Sequence, residues 1–392
     1  MLLGHFERVV AVVVVLTTSP CSGDEPSKIA QAIQPLVDRH ELAGAVMLVA
    51  SKDAILDNEN VGLADINARL PMRPDTMFWI ASMSKPIAAT ALMMLADENK
   101  VHLDDPVEHY LPGFRPRIMQ ADSTETHVNL VLPQHIITVR ELLTHQSGLV
   151  GRSSLETKLD RFPLGLRVQS YVLEPLMYEP GTRTEYSNAD INTAARIVEV
   201  ISGMPFEEYL QRRLFDPLRM TDTTFWPTTA QLKRLAKSYK PRGTQGLEET
   251  AIDQLSYPLD DRSHRRPIPA GGLFSTAQDL ARFCQMYLNG GILEGRRYLS
   301  EKAIVEMTRD AGRPAIANYE GYGLGWGTRE HGVFGHSSAS TSAMTIDPLH
   351  GLIMIWMVQD LGGAAGFDGQ LAFESAALNV YRTLSTEPNS RP

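Results

Sequence analysis

The sequence predicts an α+β fold: an antiparallel sheet drawn from both ends of the chain, with a large helical insertion between them. Three observations carry this. Apolar, β-like runs stand near both ends, at residues 43–50 and 55–63 and again at 322–328, 342–346 and 352–358. Helical periodicity brackets them, at 27–39 and 373–384. Between about 103 and 267 the chain reads as helices and loops, punctuated by Pro175, Pro180, Pro217 and Pro227. Strands at the ends and helices between them point to one α+β unit rather than alternating βα repeats.

Each element has a local reason. Ile29, Ile33, Leu36 and Val37 recur on one helical face. The turn Ser51-Lys52-Asp53 lets the second run return antiparallel to the first. Residues 84–98 are rich in Ala, Leu and Met at helical spacing, and Pro86 fits only in the first turn of such a helix. The helix therefore starts close to Ser82. Residues 139–143 and 187–202 are the clearest helical stretches of the middle, the second ending at Gly203. Residues 275–288 open on a Ser/Thr cap and close at Gly290-Gly291. A turn at 347–351 joins the last two strands.

The chain has 392 residues, 43% hydrophobic and 21% charged, with a net charge of −9. That is ordinary globular composition with length for a large core. With no basic stripe, neither nucleic acid nor an anionic membrane surface is expected as a partner. The two cysteines, Cys21 and Cys284, form no metal-binding pattern. Cys284 reads as a small buried hydrophobe.

Arg8, the short apolar run at 9–16 and the small residues beyond it read as a secretory signal peptide over residues 1–23. The run is too short to span a bilayer. An exported protein, periplasmic or secreted, is expected. The alternative is a lipid anchor at Cys21, although Pro20 fits a lipidation signal poorly. Any membrane association is expected through this segment alone.

Three constellations carry chemistry. In Ser82-Met83-Ser84-Lys85, Ser82 and Lys85 share a face at a helix start. A serine hydroxyl is a weak nucleophile until a base takes its proton, and a lysine with a depressed pKa is such a base. Ser84 competes in principle but lacks the one-turn relation to Lys85. In Tyr186-Ser187-Asn188, the phenol can relay protons if cations lower its pKa, and the Asn188 amide can orient the lysine or a substrate. In Gly335-His336-Ser337-Ser338-Ala339, a polar, potentially cationic residue is followed by small ones. These allow close approach to the backbone, where an N–H can help hold an oxyanion. Each motif alone is weak, reading equally as a cap, a packed tyrosine or a small-residue turn.

Together, in this order and spacing, they resemble the family of class C β-lactamases, DD-peptidases and related esterases. The flanks strengthen the likeness: Phe78-Trp79-Ile80-Ala81 before Ser82, and Thr138-Val139-Arg140-Glu141-Leu142-Leu143-Thr144-His145-Gln146-Ser147-Gly148-Leu149 in the middle. So do Glu179-Pro180-Gly181-Thr182, Asp216-Pro217-Leu218-Arg219-Met220, Pro269-Ala270-Gly271-Gly272-Leu273-Phe274-Ser275-Thr276 and Tyr322-Gly323-Leu324-Gly325-Trp326. The resemblance spans residues 27–384. It implies one serine-hydrolase domain over 27–385, with an α/β part (27–102 and 268–385), a helical lobe (103–267) and the site between them. It implies Ser82 as the acylated nucleophile and Lys85 and Tyr186 sharing acid and base duty. It also implies the Ser82 and Ala339 N–H groups as oxyanion donors, and Asn188 orienting Lys85 or substrate. His336 stands where β-lactamases usually carry lysine. Ser338 replaces the usual glycine and is expected to narrow the cleft or weaken activity. No cofactor is implied. Small esters, D-amino-acid peptides and β-lactams all stay open as substrates, and a catalytically silent binder that keeps the cleft is the alternative.

Other candidates read as structural: His145 within its motif, Trp79 and Trp326 as packing residues, His102 and His109 around Asp104 and Asp105, and His264-Arg265-Arg266 as a solvated loop.

Overall fold

The computed structural model describes residues 27–381, apart from 116, 125, 157, 159, 244–245 and 313–318. The expected leader with Cys21, and the last residues of the closing helix expected to run to Leu384, lie outside the described residues.

The centre is an eight-stranded antiparallel sheet. Its strands are β1 (Gly44–Ala50), β2 (Ile55–Asp65), β3 (Leu70–Pro71), β4 (Gly321–Tyr322), β5 (Gly327–Thr328), β6 (Phe334–Ser337), β7 (Ala343–Asp347) and β8 (Leu352–Met357). Their spatial order is β4-β5-β6-β7-β8-β1-β2-β3. The two ends of the chain meet where β8 pairs with β1, Leu48 opposite Ile355.

The apolar runs of β1 and β8 lack alternation because both faces of these strands are buried. Ala45, Met47, Val49, Met354 and Trp356 face one layer, formed by α1 (Lys28–Asp38) and α7 (Ala365–Tyr381). Trp356 stacks on Phe373 there. Val46, Leu48, Ile353 and Ile355 join the opposite core with α2 (Ser84–Asp97) and α6 (Ala277–Leu288). Each such side chain contributes on the order of 1.5–3 kcal/mol by burial. Ser27 caps α1 by accepting the Ala30 N–H at 3.1 Å.

In α2, twelve of fourteen residues are buried, so its apolar residues run all round the helix. The helical part carries α3 (Val139–Leu143), α4 (Leu164–Val172) and α5 (Asn188–Ser202). Thr138 and Glu141 form a capping box on α3, and α5 ends on Gly203 in the left-handed region.

Four expectations are corrected. Residues 322–328 are not one strand: β4 and β5 form a hairpin turned at Gly325, whose φ is +82°. The middle is not only helices and loops, since Met119–Ser123 pairs with Val128–Val131 and Ser238–Pro241 with Leu247–Thr250. The closing helix starts at Ala365, eight residues before Phe373. Arg265 is not solvated: it is 2% exposed and bonds Asp160 at 2.7 Å.

Candidate active site

Ser82 sits in a 3-10 turn, Ala81–Met83, that runs directly into α2. Ala81 before it holds a φ of +41°, uncommon for a residue with a side chain. Ser82 stays partly open, while Ser84 is fully buried. The Ser84 hydroxyl donates to the Ala81 carbonyl at 2.6 Å and accepts from the Leu273 N–H at 3.3 Å. Ser84 therefore braces the turn and is excluded as a nucleophile.

Lys85 follows Ser82 by one turn, and its Nζ lies 3.1 Å from Ser82 Oγ. It donates to Asn188 Oδ1 at 2.8 Å and to the Ala270 carbonyl at 2.7 Å. No carboxylate pairs with it among the described residues. Burial without a counter-charge drives the ammonium well below the usual lysine range. A neutral amine has two N–H groups, which the two carbonyl oxygens take. Its lone pair then faces the Ser82 hydroxyl, the arrangement of a general base.

Helix α5 builds this seat twice over. Asn188 and Asn192, four apart, lie on one helical face. Asn188 meets Lys85 directly. Asn192 Oδ1 accepts the Ala270 N–H at 3.1 Å, which fixes the carbonyl that Lys85 uses. Asn192 and Ala270 were not singled out from sequence, although the Asn-x-x-x-Asn spacing at a helix start was a usable signal.

Tyr186 shares a hydrogen bond with Ser82. The Lys85 Nζ stands 4.5 Å from its ring centroid. Burial raises the phenol above its ordinary range. The condition set for a relay, that nearby cations lower this pKa, is not met: burial is the dominant cause and raises it, the Ser82 hydrogen bond offsetting only part.

His336 lies on β6, 1% exposed. Its Nδ1–H donates to the Ser337 carbonyl at 2.7 Å, and Nε2 accepts from the Tyr322 hydroxyl at 3.1 Å. Burial, and secondarily Lys85, bring its pKa down to about 3. The potentially cationic residue expected here is a neutral imidazole with both nitrogens occupied. Tyr322 was quoted in a motif without a role. The structure makes it the partner of His336.

Ser338 is buried, its hydroxyl 3.0 Å from that of Ser340, which donates to the Trp79 carbonyl at 3.2 Å. The extra side chain thus joins the strand wall to the segment leading into Ser82. Ala339 is exposed at the turn after β6. Among the described residues, the N–H groups of Ser82 and Ala339 have no protein acceptor. Trp79 and Trp326 are both buried, as packing residues. Asp104 pairs with Arg140, and Asp105 accepts from Tyr110, so both carboxylates have protein partners.

A family model described as Beta-lactamase matches residues 29–377. Esterase EstB of Burkholderia gladioli is 30% identical over 343 residues, covering 76% of this chain and 82% of that protein. Penicillin-binding protein 4 of Amycolatopsis lactamdurans is 29% identical over 308 residues, covering 77% and 76%. Among solved structures, EstCE1, a hydrolase with promiscuous acyltransferase activity, aligns with a TM-score of 0.73 at 21% identity. That alignment covers 88% of this chain and 97% of that one, a likeness of fold.

Proposed function

The chain belongs to the beta-lactamase family of serine hydrolases, and from that premise we propose that it hydrolyses uncharged carboxylic esters through an acyl-enzyme on Ser82. The observation that carries the ester reading is the neutral wall at His336. Its two nitrogens are taken by Ser337 and Tyr322, so it offers no cation to a substrate carboxylate. The relative named esterase EstB agrees with this reading. The relative named penicillin-binding protein 4 keeps amide substrates as the second class.

In this reading Ser82 Oγ attacks the ester carbonyl while Lys85 takes its proton. The negative charge that develops on the carbonyl oxygen is held by the N–H groups of Ser82 and Ala339, each such donor worth roughly 10²–10³ in rate. The Tyr186 hydroxyl gives its proton to the departing alkoxide, and the proton on Lys85 restores the phenol. Water then attacks the acyl carbonyl, surrendering a proton to Lys85, which passes it to Ser82 Oγ as the acyl–oxygen bond breaks. Each side chain ends in its starting protonation state, the alcohol having left with the Tyr186 proton and Ser82 carrying a proton from water.

The same proposal puts the mature enzyme outside the cytoplasm, supported by Arg8 and the apolar run at 9–16. The test of substrate class compares p-nitrophenyl butyrate with nitrocefin, which carries a carboxylate. Butyrate is expected to be favoured in kcat/KM by at least about 30-fold, the equivalent of roughly 2 kcal/mol for a missing charge partner. Efficient nitrocefin turnover above that of the ester would reverse the assignment.

A further inference from the structure

His145 lies in the motif read as structural, 41 residues before Tyr186, yet it meets residues 185–187 at three points. Its carbonyl accepts the Glu185 N–H at 2.8 Å. Its imidazole Nδ1 accepts the Ser187 N–H at 3.3 Å. Its ring lies 4.7 Å, centroid to centroid, from that of Tyr186. The N–H groups on both sides of Tyr186 thus end on one residue. The second ring neighbour of the imidazole is Tyr322, 4.8 Å away, the partner of His336.

The imidazole is itself fixed. Asp190 Oδ2 stands 3.2 Å from Nδ1, and the Ser147 hydroxyl donates to the other carboxyl oxygen while accepting the Leu149 N–H at 2.9 Å. His145, Ser147 and Asp190 are each at most 1% exposed. Burial lowers the imidazole pKa and raises that of the Asp190 carboxyl; with that carboxyl protonated, it and the Ser187 N–H both point at the Nδ1 lone pair. The remaining nitrogen, Nε2, is buried with no hydrogen-bond partner. An orphaned buried donor is unfavourable. A side chain there only to fill space would be better served by an apolar ring. The backbone at His145 holds a φ of +60°, a region in which His is itself enriched. The orphaned nitrogen makes sense if the acceptor at Nδ1 is what the site requires.

We propose that His145 is the positioning residue for Tyr186, clamping residues 185–187 from both sides so that the phenol oxygen stays on Ser82. This rests on the Ser82 hydrolase reading above. His145 does not touch substrate; it acts through Tyr186.

The test is a double-mutant cycle on p-nitrophenyl butyrate hydrolysis. His145→Phe keeps a ring and removes the acceptor. It is expected to lower kcat by about 30-fold or more with KM changed less than about threefold, since misplacing an acid–base group costs on the order of 10²-fold. In a Tyr186→Phe background the same change is expected to cost less than about twofold, because the group being positioned has gone. His145→Asn, whose Oδ1 sits near the Nδ1 position, is expected to recover about tenfold over His145→Phe, whereas His145→Gln, which reaches the Nε2 position, recovers little. Equal losses in both backgrounds, or Asn and Gln behaving alike, would mark His145 as structural and overturn the proposal. If His145→Phe fails to fold, the Asn and Gln pair decides. If none of the three folds, the residue is structural and the proposal falls. Full activity in Ser82→Ala would instead remove the hydrolase reading beneath it.

Discussion

Among the described residues Lys85 is surrounded by oxygens but by no carboxylate, and that sets its protonation. A buried lysine with a carboxylate partner keeps its proton; this one has Asn188 Oδ1, the Ala270 carbonyl and the Ser82 hydroxyl. Its folded pKa lies well below 10.5. The base is the deprotonated form, so kcat/KM rises with pH through the folded Lys85 pKa and levels off above it, well short of the ordinary lysine range. A pH profile of p-nitrophenyl butyrate hydrolysis checks this. An ascending limb centred near the ordinary lysine value of 10.5 would show that burial does not neutralise the lysine. The Ser82–Lys85 spacing was legible because one helical turn converts sequence separation directly into proximity. Of the seat beneath it, Asn188 was legible through its motif, 103 residues away, while the Ala270 carbonyl, 185 residues away, was not. The charge of His336 stayed open for the same reason. Residue type allows a cation, and only the buried Tyr322 and Ser337 partners decide against one.

At the scale of elements, the site depends on how closely β4, β5 and their turn approach α2. Gly325 is the contact: a Cβ there would lie 2.5 Å from Ala89 Cβ and 3.4 Å from the Lys85 carbonyl, at a φ of +82°. Gly325→Ala is therefore expected to destabilise the protein by roughly 2–4 kcal/mol, combining a left-handed backbone with overpacking. Chemical denaturation of the variant measures this, and an unchanged midpoint would mean that the hairpin is free to move off the helix. Long elements with one dominant signal were legible: α1 by its periodicity, β1 and β8 by their apolar runs, α5 and α6 by their caps. The β4–β5 hairpin was not, because its strands are two residues each and too short for any periodicity to show. The start of α7 escaped because Gly366 and Gly369, poor helix formers, interrupt residues 365–372, where Phe367 and Leu371 are the large apolar positions.

Across the whole molecule, one hydrophobic cluster runs from Val46 and Leu48 in the sheet, through α2, to Ile191 and Val198 in α5 and on to Phe206. The two walls of the site therefore share a core rather than meeting as separate bodies. The lobe has its own polar anchor. Asp160, fully buried, bonds Arg265 at 2.7 Å and both the N–H and hydroxyl of Ser256. Removing it strands a buried guanidinium, so Asp160→Ala is expected to cost about 3–5 kcal/mol. Because the core is shared, near-UV and far-UV melts of that variant are expected to fall together. A lobe that melted first, leaving the sheet intact, would contradict a common core. The fold class was legible at this scale because strands at both ends must meet in one sheet. The buried Asp160–Arg265 pair was not, as an Arg-rich loop looks solvated until its partner 105 residues away is known.

The central claim is that Ser82 is the nucleophile. The most direct measurement is intact mass followed by peptide mapping after treatment with a fluorophosphonate. The account predicts one adduct per chain, on Ser82, with none formed in Ser82→Ala or after denaturation. An adduct on another residue, or ester turnover undiminished in Ser82→Ala, would contradict it.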